Sequence, residues 1–317
     1  MPEHDYHVVM NPNSGTALAM GLTPEVLAER FAAFGMTAHI DADARVPLDE
    51  RIAKALASES DVVVAAGGDG TATALAGSLV GSNKSLAILP LGTANLMARD
   101  LAVPLELDEA LAALATMEPR SIDVGEVNGR IFLHKVVVGF VPAIAAGREH
   151  IRGKSGLGAQ IGFLRYFIRR IARAKRLALE ISPAEGETRI ERVQAVAVAN
   201  NSYDEGFGHV FSRPCLDAGQ LTLYVMRRIT LSDVLRLTIE MMLGRWQEDE
   251  ALHIETVHDV TLRTSRRMIM AMIDGEVERM SVPLRFRIRP RALSVLAPVP
   301  VAAAVDGGEI QPTPAGA

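Results

Sequence analysis

The chain has 317 residues, 49% hydrophobic and 22% charged, with a net charge of −5. That balance excludes global disorder and a generally basic nucleic-acid binder, and the length leaves room for two domains. Cys215 stands alone, which excludes an internal disulfide and suits a reducing cytosol.

The chain runs from Met1 into a strand at 7–10 with no basic, long apolar leader, so no signal peptide is expected. Val8 to Met10 is the first expected strand. Thr23 to Phe34 follows as a helix, with Thr23 as N-cap, Pro24 at the first helical position and Val26, Leu27, Phe31 and Phe34 at helical spacing. The pattern then gives a strand at Ala38 to Ile40, a helix at Leu48 to Ser58 and a strand at Val62 to Gly67. A helix at Thr71 to Val80, a strand at Leu86 to Leu89, a helix around Asn95 to Leu101 and another at Leu107 to Met117 complete this part. Such alternation predicts a doubly wound parallel sheet.

Near residue 125 the periodicity changes to that of half-buried strands. These are expected at 121–127, 130–139, 177–181, 192–200, 220–226, 258–264, 268–273, 278–282 and 284–288, with Asn128-Gly129 as one turn. The expected division is a nucleotide-binding α/β domain at 1–124, joined by a returning apolar segment at 291–297, and a β-rich substrate domain at 125–290. A Pro- and Ala-rich tail at 298–317 follows. The apolar stretch from Ala292 to Val305 is interrupted by Pro298 and Pro300 and falls short of the ~20 residues of a spanning helix. Membrane contact is therefore expected to be peripheral.

The strand at 62–67 leads into Gly67-Gly68-Asp69-Gly70-Thr71. Glycines there remove Cβ atoms that would hold a phosphate away from backbone amides, and Gly68, Gly70 and Thr71 offer such amides at a helix start. Asp69 can hold Mg²⁺ directly or through water. By itself this is also a tight turn with a capping Asp. A second strand-to-loop junction, Pro90-Leu91-Gly92-Thr93-Ala94-Asn95, comes one βαβ unit later, so both loops are expected to share a crevice. Asn11-Pro12-Asn13-Ser14-Gly15 after the first strand is a good turn with hydrogen-bonding side chains. Asp274-Gly275-Glu276 after an apolar strand reads, from spacing alone, as an ordinary hairpin turn.

Taken in order, Asn11 to Gly15, Gly67 to Thr71, Pro90 to Asn95 and Asp274 to Glu276 resemble the diacylglycerol kinase catalytic-domain family, which includes bacterial lipid kinases and sphingosine kinases. The resemblance runs from about Tyr6 to Leu296 and implies an NAD-kinase- and phosphofructokinase-like α/β domain followed by a mostly antiparallel β domain. It implies nucleotide binding by Asn11, Pro12, Asn13, Ser14, Gly15, Gly67, Gly68, Asp69, Gly70, Thr71, Thr93 and Asn95. It also implies ATP and Mg²⁺ as cofactors, with Asp69 organising the metal and Asp274 as the base that deprotonates a lipid hydroxyl, Glu276 being its partner or substitute. Asp123 resembles an acidic residue of a water and Mg²⁺ network. Asp217 stands near a structural Mg²⁺ position, where Ala218 replaces an Asp of the pattern. Other departures are Thr73 and Ala74 for Asn and Glu, Leu96 for Asp, and Asp41 for a nucleotide-contacting Thr.

Residues 148–176 carry nine Lys and Arg against one Glu, interleaved with Leu, Ile, Phe and Tyr. In an acidic chain this suits anionic headgroups at the inner face of a membrane, and equally a solvated basic helix. The combined expectation is a cytoplasmic, peripherally membrane-bound ATP-dependent lipid kinase without a nucleic-acid partner, with exposed sheet edges permitting a homodimer. An NAD-kinase-like enzyme and a non-catalytic nucleotide- or lipid-binding protein are the alternatives.

Overall fold

The structure, a computed structural model, describes residues 4–142, 169, 174–204, 213–228, 230–243, 245 and 251–299. Most of the basic stretch at 148–176 and the tail from residue 300 lie outside the described residues. The first part alternates strand and helix: β1 (Asp5–Met10), α1 (Gly15–Met20), α2 (Pro24–Ala33), β2 (Thr37–Asp41), α3 (Leu48–Ala57), β3 (Val62–Gly67), α4 (Asp69–Leu79), β4 (Ser85–Pro90), α5 (Leu96–Asp100) and α6 (Leu107–Leu114). The Thr23 hydroxyl accepts the Val26 N–H at 3.3 Å, and Pro24 opens α2 where a missing N–H costs nothing. Leu27 and Phe31, one turn apart, are fully buried. Strands β3 and β4 are buried along their whole length, as uninterrupted apolar runs require in a sheet covered on both faces. Helix α1 replaces part of the expected turn after β1; it is short and closed by Gly21 at φ 58°.

These strands pair in parallel in the order β2-β1-β3-β4. The chain reverses its direction of travel across the sheet between β1 and β3. At such a point the loops leaving the strands' carboxyl ends diverge and leave a crevice. The Asn11 and Gly68 loops stand on its two sides.

The second part comprises β5 (Glu118–Val127), β6 (Arg130–Phe132), β7 (Lys135–Gly139), β8 (Leu177–Pro183), β9 (Arg189–Val193), β10 (Ala195–Asn200), β11 (Leu221–Met226), α7 (Leu231–Leu243), β12 (Leu252–Val257), β13 (Asp259–Arg263), β14 (Met268–Ile273), β15 (Glu276–Ser281) and β16 (Leu284–Ala297). Two expected strands are each cut in two. Residues 130–139 become β6 and β7, and 192–200 become β9 and β10, the chain passing from one sheet to the other at each break. One sheet is antiparallel throughout, β12-β11-β10-β7-β14-β15. The other is the parallel sheet itself, continued beyond β4 through β16 to β13, β8 and β9, with β5 and β6 alongside. Val136, Val138, Val196, Val198, Leu223 and Phe286 pack between the two layers.

Strand β16 unites the segments expected separately at 284–288 and 291–297. Its 14 residues bend at an irregularity between Arg289 and Leu293, with Arg291 at φ 49°. One edge pairs antiparallel with β13 and then, at Val295, parallel with Leu86 of β4; the other edge carries β5. The expected class, a parallel α/β portion followed by mostly antiparallel β structure, is the one observed. Among the described residues no helix is long and apolar enough to cross a membrane.

Candidate active site

The loop after β1 is tied down by its own backbone. Asn11 N–H donates to Ala66 O at 2.8 Å, its Oδ1 accepts the Asn13 N–H at 3.1 Å and its carbonyl accepts the Ser14 N–H at 3.1 Å. Ser14 Oγ is buried without a hydrogen-bond partner among the described residues, a polar atom left ready for a ligand. Thr16 Oγ1 reaches across to Gly92 O at 3.2 Å, joining this loop to the one after β4.

Close packing between loops explains most of the glycines. A Cβ on Gly92 would run into the Gly68 Cα, and one on Gly67 would come within 2.6 Å of Thr71 Oγ1. At the start of α4 the N–H groups of Thr71 and Ala72 both donate to Gly68 O, at 3.0 and 3.2 Å. Asp69 and Gly70, ahead of them, have no carbonyl within the helix to bond, and their N–H groups make no backbone hydrogen bond among the described residues. Asp69 Oδ1 accepts the Leu96 N–H at 2.7 Å and so fixes α5 against the glycine loop. Asn95, in left-handed conformation, spends its amide on its own loop, accepting from Gly92 N and donating to Gly92 O, both at 2.9 Å. Thr93 on that loop is exposed. A cavity of about 330 Å³ opens beside the first loop, lined by Asn11, Pro12, Asn13, Arg45, Arg51 and Thr71. At its base Arg51 and Asp41 form a buried pair at 2.8 Å, the guanidinium also donating to Met10 O at 2.7 Å.

Opposite the glycine loop is the turn between β14 and β15. Asp274, at φ 46°, accepts four hydrogen bonds: Leu133 N–H at 2.7 Å and Thr73 Oγ1 at 3.2 Å on Oδ2, His134 N–H at 2.9 Å and Lys135 N–H at 3.0 Å on Oδ1. Burial raises its pKa, while those amides and the Arg213 charge pull against the rise. Glu276 is different. Its side chain is 63% exposed, and its Oε1 lies only 3.1 Å from where a Cβ on Gly70 would be. The nearest cation is Arg130, at 3.8 Å. The structure thus brings the Asn11, Gly68 and Thr93 loops and the 274–276 turn to one cleft.

Beneath the cleft Asp100 joins a buried polar cluster whose other members, Arg213, His134 and Lys135, the sequence did not single out. Arg213 donates to Asp100 Oδ2 through Nε and Nη2 at 2.9 and 2.6 Å, and through Nη1 to Leu133 O at 2.6 Å and Asn200 O at 3.0 Å. Burial pushes the Asp100 carboxyl up against the pull of that guanidinium. His134 is wholly enclosed, with neither ring nitrogen hydrogen-bonded, and burial with the neighbouring Arg213 and Lys135 charges holds its pKa well below the ordinary value. Burial lowers Lys135 to about 8, against the pull of Asp274, and its ammonium sits 4.8 Å above the Tyr203 ring. An Arg before Pro214 and a His inside an apolar run carry no local signature; only the fold assembles them.

Asp123 is fully buried, its carboxylate accepting from Gly219 N–H at 2.6 Å, Arg291 N–H at 2.8 Å and Asn201 Nδ2 at 3.2 Å. Asp217 meets Arg120 at 3.4 Å and the Cys215 thiol at 3.2 Å. Among the described residues no three His, Cys, Asp or Glu side chains converge as a metal set, and neither aspartate is bonded to the Asp69 loop. Mg²⁺ fits instead the sparse pattern of one carboxylate, phosphate oxygens and water. Asp69, with Oδ2 uncommitted among the described residues, is the residue of the glycine loop that would supply that carboxylate.

Residues 5–127 match the diacylglycerol kinase catalytic domain, and residues 143–297 match the YegS C-terminal NAD kinase β-sandwich-like domain. A Pseudomonas aeruginosa protein named "Probable lipid kinase YegS-like" is 32% identical over 267 residues, 81% of this chain and 82% of that protein. The "Diacylglycerol kinase" of Bacillus subtilis is 24% identical over 283 residues, 85% of this chain and 88% of its own. Two solved Bacillus anthracis structures, one titled "a putative diacylglycerol kinase" and one "a diacylglycerol kinases", superpose with TM-scores of 0.70 and 0.64 at 21% and 19% identity, each covering 93% of this chain and 97% of that chain. With both of its parts matched and a relative aligned over most of each length, the chain belongs to the diacylglycerol kinase catalytic-domain family of phosphotransferases, among the members that carry a YegS-type C-terminal domain.

Proposed function

We propose that the protein transfers the γ-phosphoryl group of ATP to the hydroxyl of a membrane lipid. The observation that carries this reading is the placement of the Glu276 carboxylate over Gly70 at the start of α4, with Asp274 of the same turn bonded to Thr73 of that helix. Phosphoryl transfer requires little beyond that: an anion cradle, charge neutralisation and a base on the attacking side. The Asp69 and Gly70 amides and Ser14 Oγ would bind phosphate oxygens, and the cavity beside Asn11 and Arg51 would take the nucleoside. Asp69 would hold Mg²⁺, which supplies positive charge to the transferring group.

The acceptor side supports a lipid. Met268 and Met270 are exposed on β14, and Met272 on the same face packs with Val137, Ala197 and Tyr224. This face leads along β14 directly to Asp274, so an apolar chain could lie against it with its hydroxyl at the turn. The basic sequence at 148–176 adds a reason for docking on anionic lipid.

Purified protein with ATP and Mg²⁺ on vesicles containing diacylglycerol, phosphatidylglycerol or a sphingoid base tests the reading, phosphorylated lipid being identified by mass spectrometry. Phosphorylation of NAD in place of lipid, or nucleotide binding without turnover, would sink it.

A further inference from the structure

We propose that the end of the antiparallel sheet opposite Asp274 is a docking surface for a bilayer containing anionic phospholipid; this rests on the lipid-kinase reading above. The strand register defines that end. Leu252 pairs with Met226, Met226 with Ala195 and Ala195 with Gly139. Ala271 pairs with the preceding Val138, so Met270, its partner Arg279 and Met268 continue the same border. Three long connections leave the sheet there, residues 140–176, 227–251 and 264–267. They carry nine, four and two Lys or Arg against one, five and no Asp or Glu, in a chain of net charge −5. The connections at the Asp274 end, 133–134, 201–220, 258 and 274–275, carry one Arg against four Asp or Glu. Charge is thus segregated between the two ends of one sheet.

At the positive border Lys175, Arg176, Arg228, Arg266, Arg267 and Arg279 are exposed and form no ion pair among the described residues. Asp233 and Glu240, the described carboxylates of α7, both flank Arg236. Met268 and Met270 stand exposed on β14, and Leu235 and Ile239, one turn apart, on α7, which connects Met226 to Leu252. Strands β11 and β14 are three strands apart, about 14 Å, so both apolar groups leave one border. Apolar tips among cations suit a bilayer, where phosphates meet the guanidinium groups and the tips enter the acyl boundary. A second copy of the chain would instead set cation against cation across a two-fold interface. Met268 to Asp274 spans about 20 Å, of the same order as the roughly 15 Å of hydrocarbon in one leaflet. A lipid drawn head-first along the methionine face therefore reaches the turn with its chain ends still near the bilayer.

Co-sedimentation with phosphatidylcholine vesicles, with and without phosphatidylglycerol, tests the surface. Wild-type protein should bind the anionic vesicles at least about tenfold more tightly. The triple variant Arg228→Gln, Arg266→Gln, Arg267→Gln should lose roughly 100-fold of that affinity, and the double variant Leu235→Ser, Ile239→Ser about tenfold. Both should keep the wild-type Tm and the wild-type turnover of lipid dispersed in detergent micelles. Either variant binding anionic vesicles within about twofold of wild type, or a wild type indifferent to phosphatidylglycerol, overturns the docking surface, while micellar turnover still upholds the kinase reading. Self-association lost in the Leu235→Ser, Ile239→Ser variant with vesicle binding kept, read by analytical ultracentrifugation, assigns the patch to a second copy and overturns docking as well. Vesicle binding lost in both variants of a protein that phosphorylates no micellar lipid overturns the kinase reading and leaves the docking surface standing.

Discussion

Gly92 and Gly15 lie in loops joined by one hydrogen bond, yet they answer to different constraints. A side chain on Gly92 would collide with the backbone of Gly68, whereas one on Gly15 would meet nothing within 4 Å. Gly92→Ala should therefore force the phosphate loops apart, costing about 1–3 kcal/mol of stability and at least tenfold in nucleotide affinity. Gly15→Ala should leave the melting temperature unchanged. Thermal melts with and without ATP would separate the two, and equal behaviour would refute the contact. At this scale the sequence was a partial guide. It marked Gly67, Gly68, Asp69 and Gly70 as chemistry-bearing, since a strand running into glycines has few other uses. It could not tell which glycine faces ligand and which faces another loop, because that depends on a partner more than 20 residues away. Nor could it show that Asn95 is consumed by its own loop.

Among the elements, α5 is held to the second part of the molecule through Arg213, with His134 Nδ1 also 3.5 Å from Asp100 Oδ2. Arg213 neutralises Asp100 at the end of that helix and donates to the carbonyl of Asn200 and to that of Leu133, which also accepts from Asn200 Nδ2 at 2.9 Å. Arg213→Met should leave the buried Asp100 facing only His134 Nδ1 among the described residues and lower unfolding free energy by about 3–5 kcal/mol. Urea unfolding would measure it, and the double variant with Asp100→Asn should recover part of the loss. The strand breaks at Leu133 and Gln194 escaped the sequence for a related reason. Residues 130–139 alternate without a turn residue, so nothing local announces a change of sheet. The change is enforced by Asp274, about 140 positions later, capturing three consecutive amides. Helix α2, by contrast, was legible because Thr23 and Pro24 act within its own first turn.

For the molecule as a whole, the buried histidines weaken the fold as the pH falls below neutrality. The pKa of His134 is lowered in the fold by burial and neighbouring cations, and that of His7 is lowered chiefly by burial. An unfolded histidine binds its proton near pH 6.5. Below that pH the unfolded chain therefore takes up protons that the folded chain refuses. Stability from these groups is fully present above about pH 6.5 and declines as the pH falls, at up to about 1.4 kcal/mol per pH unit for each histidine. Urea midpoints at pH 7.5 and 5.5 should show the decline, and His134→Leu should flatten it; an equal slope in the variant would exclude His134 as a cause.

The union of both parts in β16 reaches beyond equilibrium stability to the order of events during synthesis. The edge of β4 is completed by Val295, over 200 residues after Leu86, with Ser294 Oγ bonded to Ser85 Oγ at 2.8 Å. While the ribosome is still making the intervening chain, the nascent parallel sheet has a raw border at β4, rich in Leu and Ile and able to recruit an extended peptide nearby. Its final seam is sewn only when residues 284–297 emerge, so that border stays unpaired until β16 arrives.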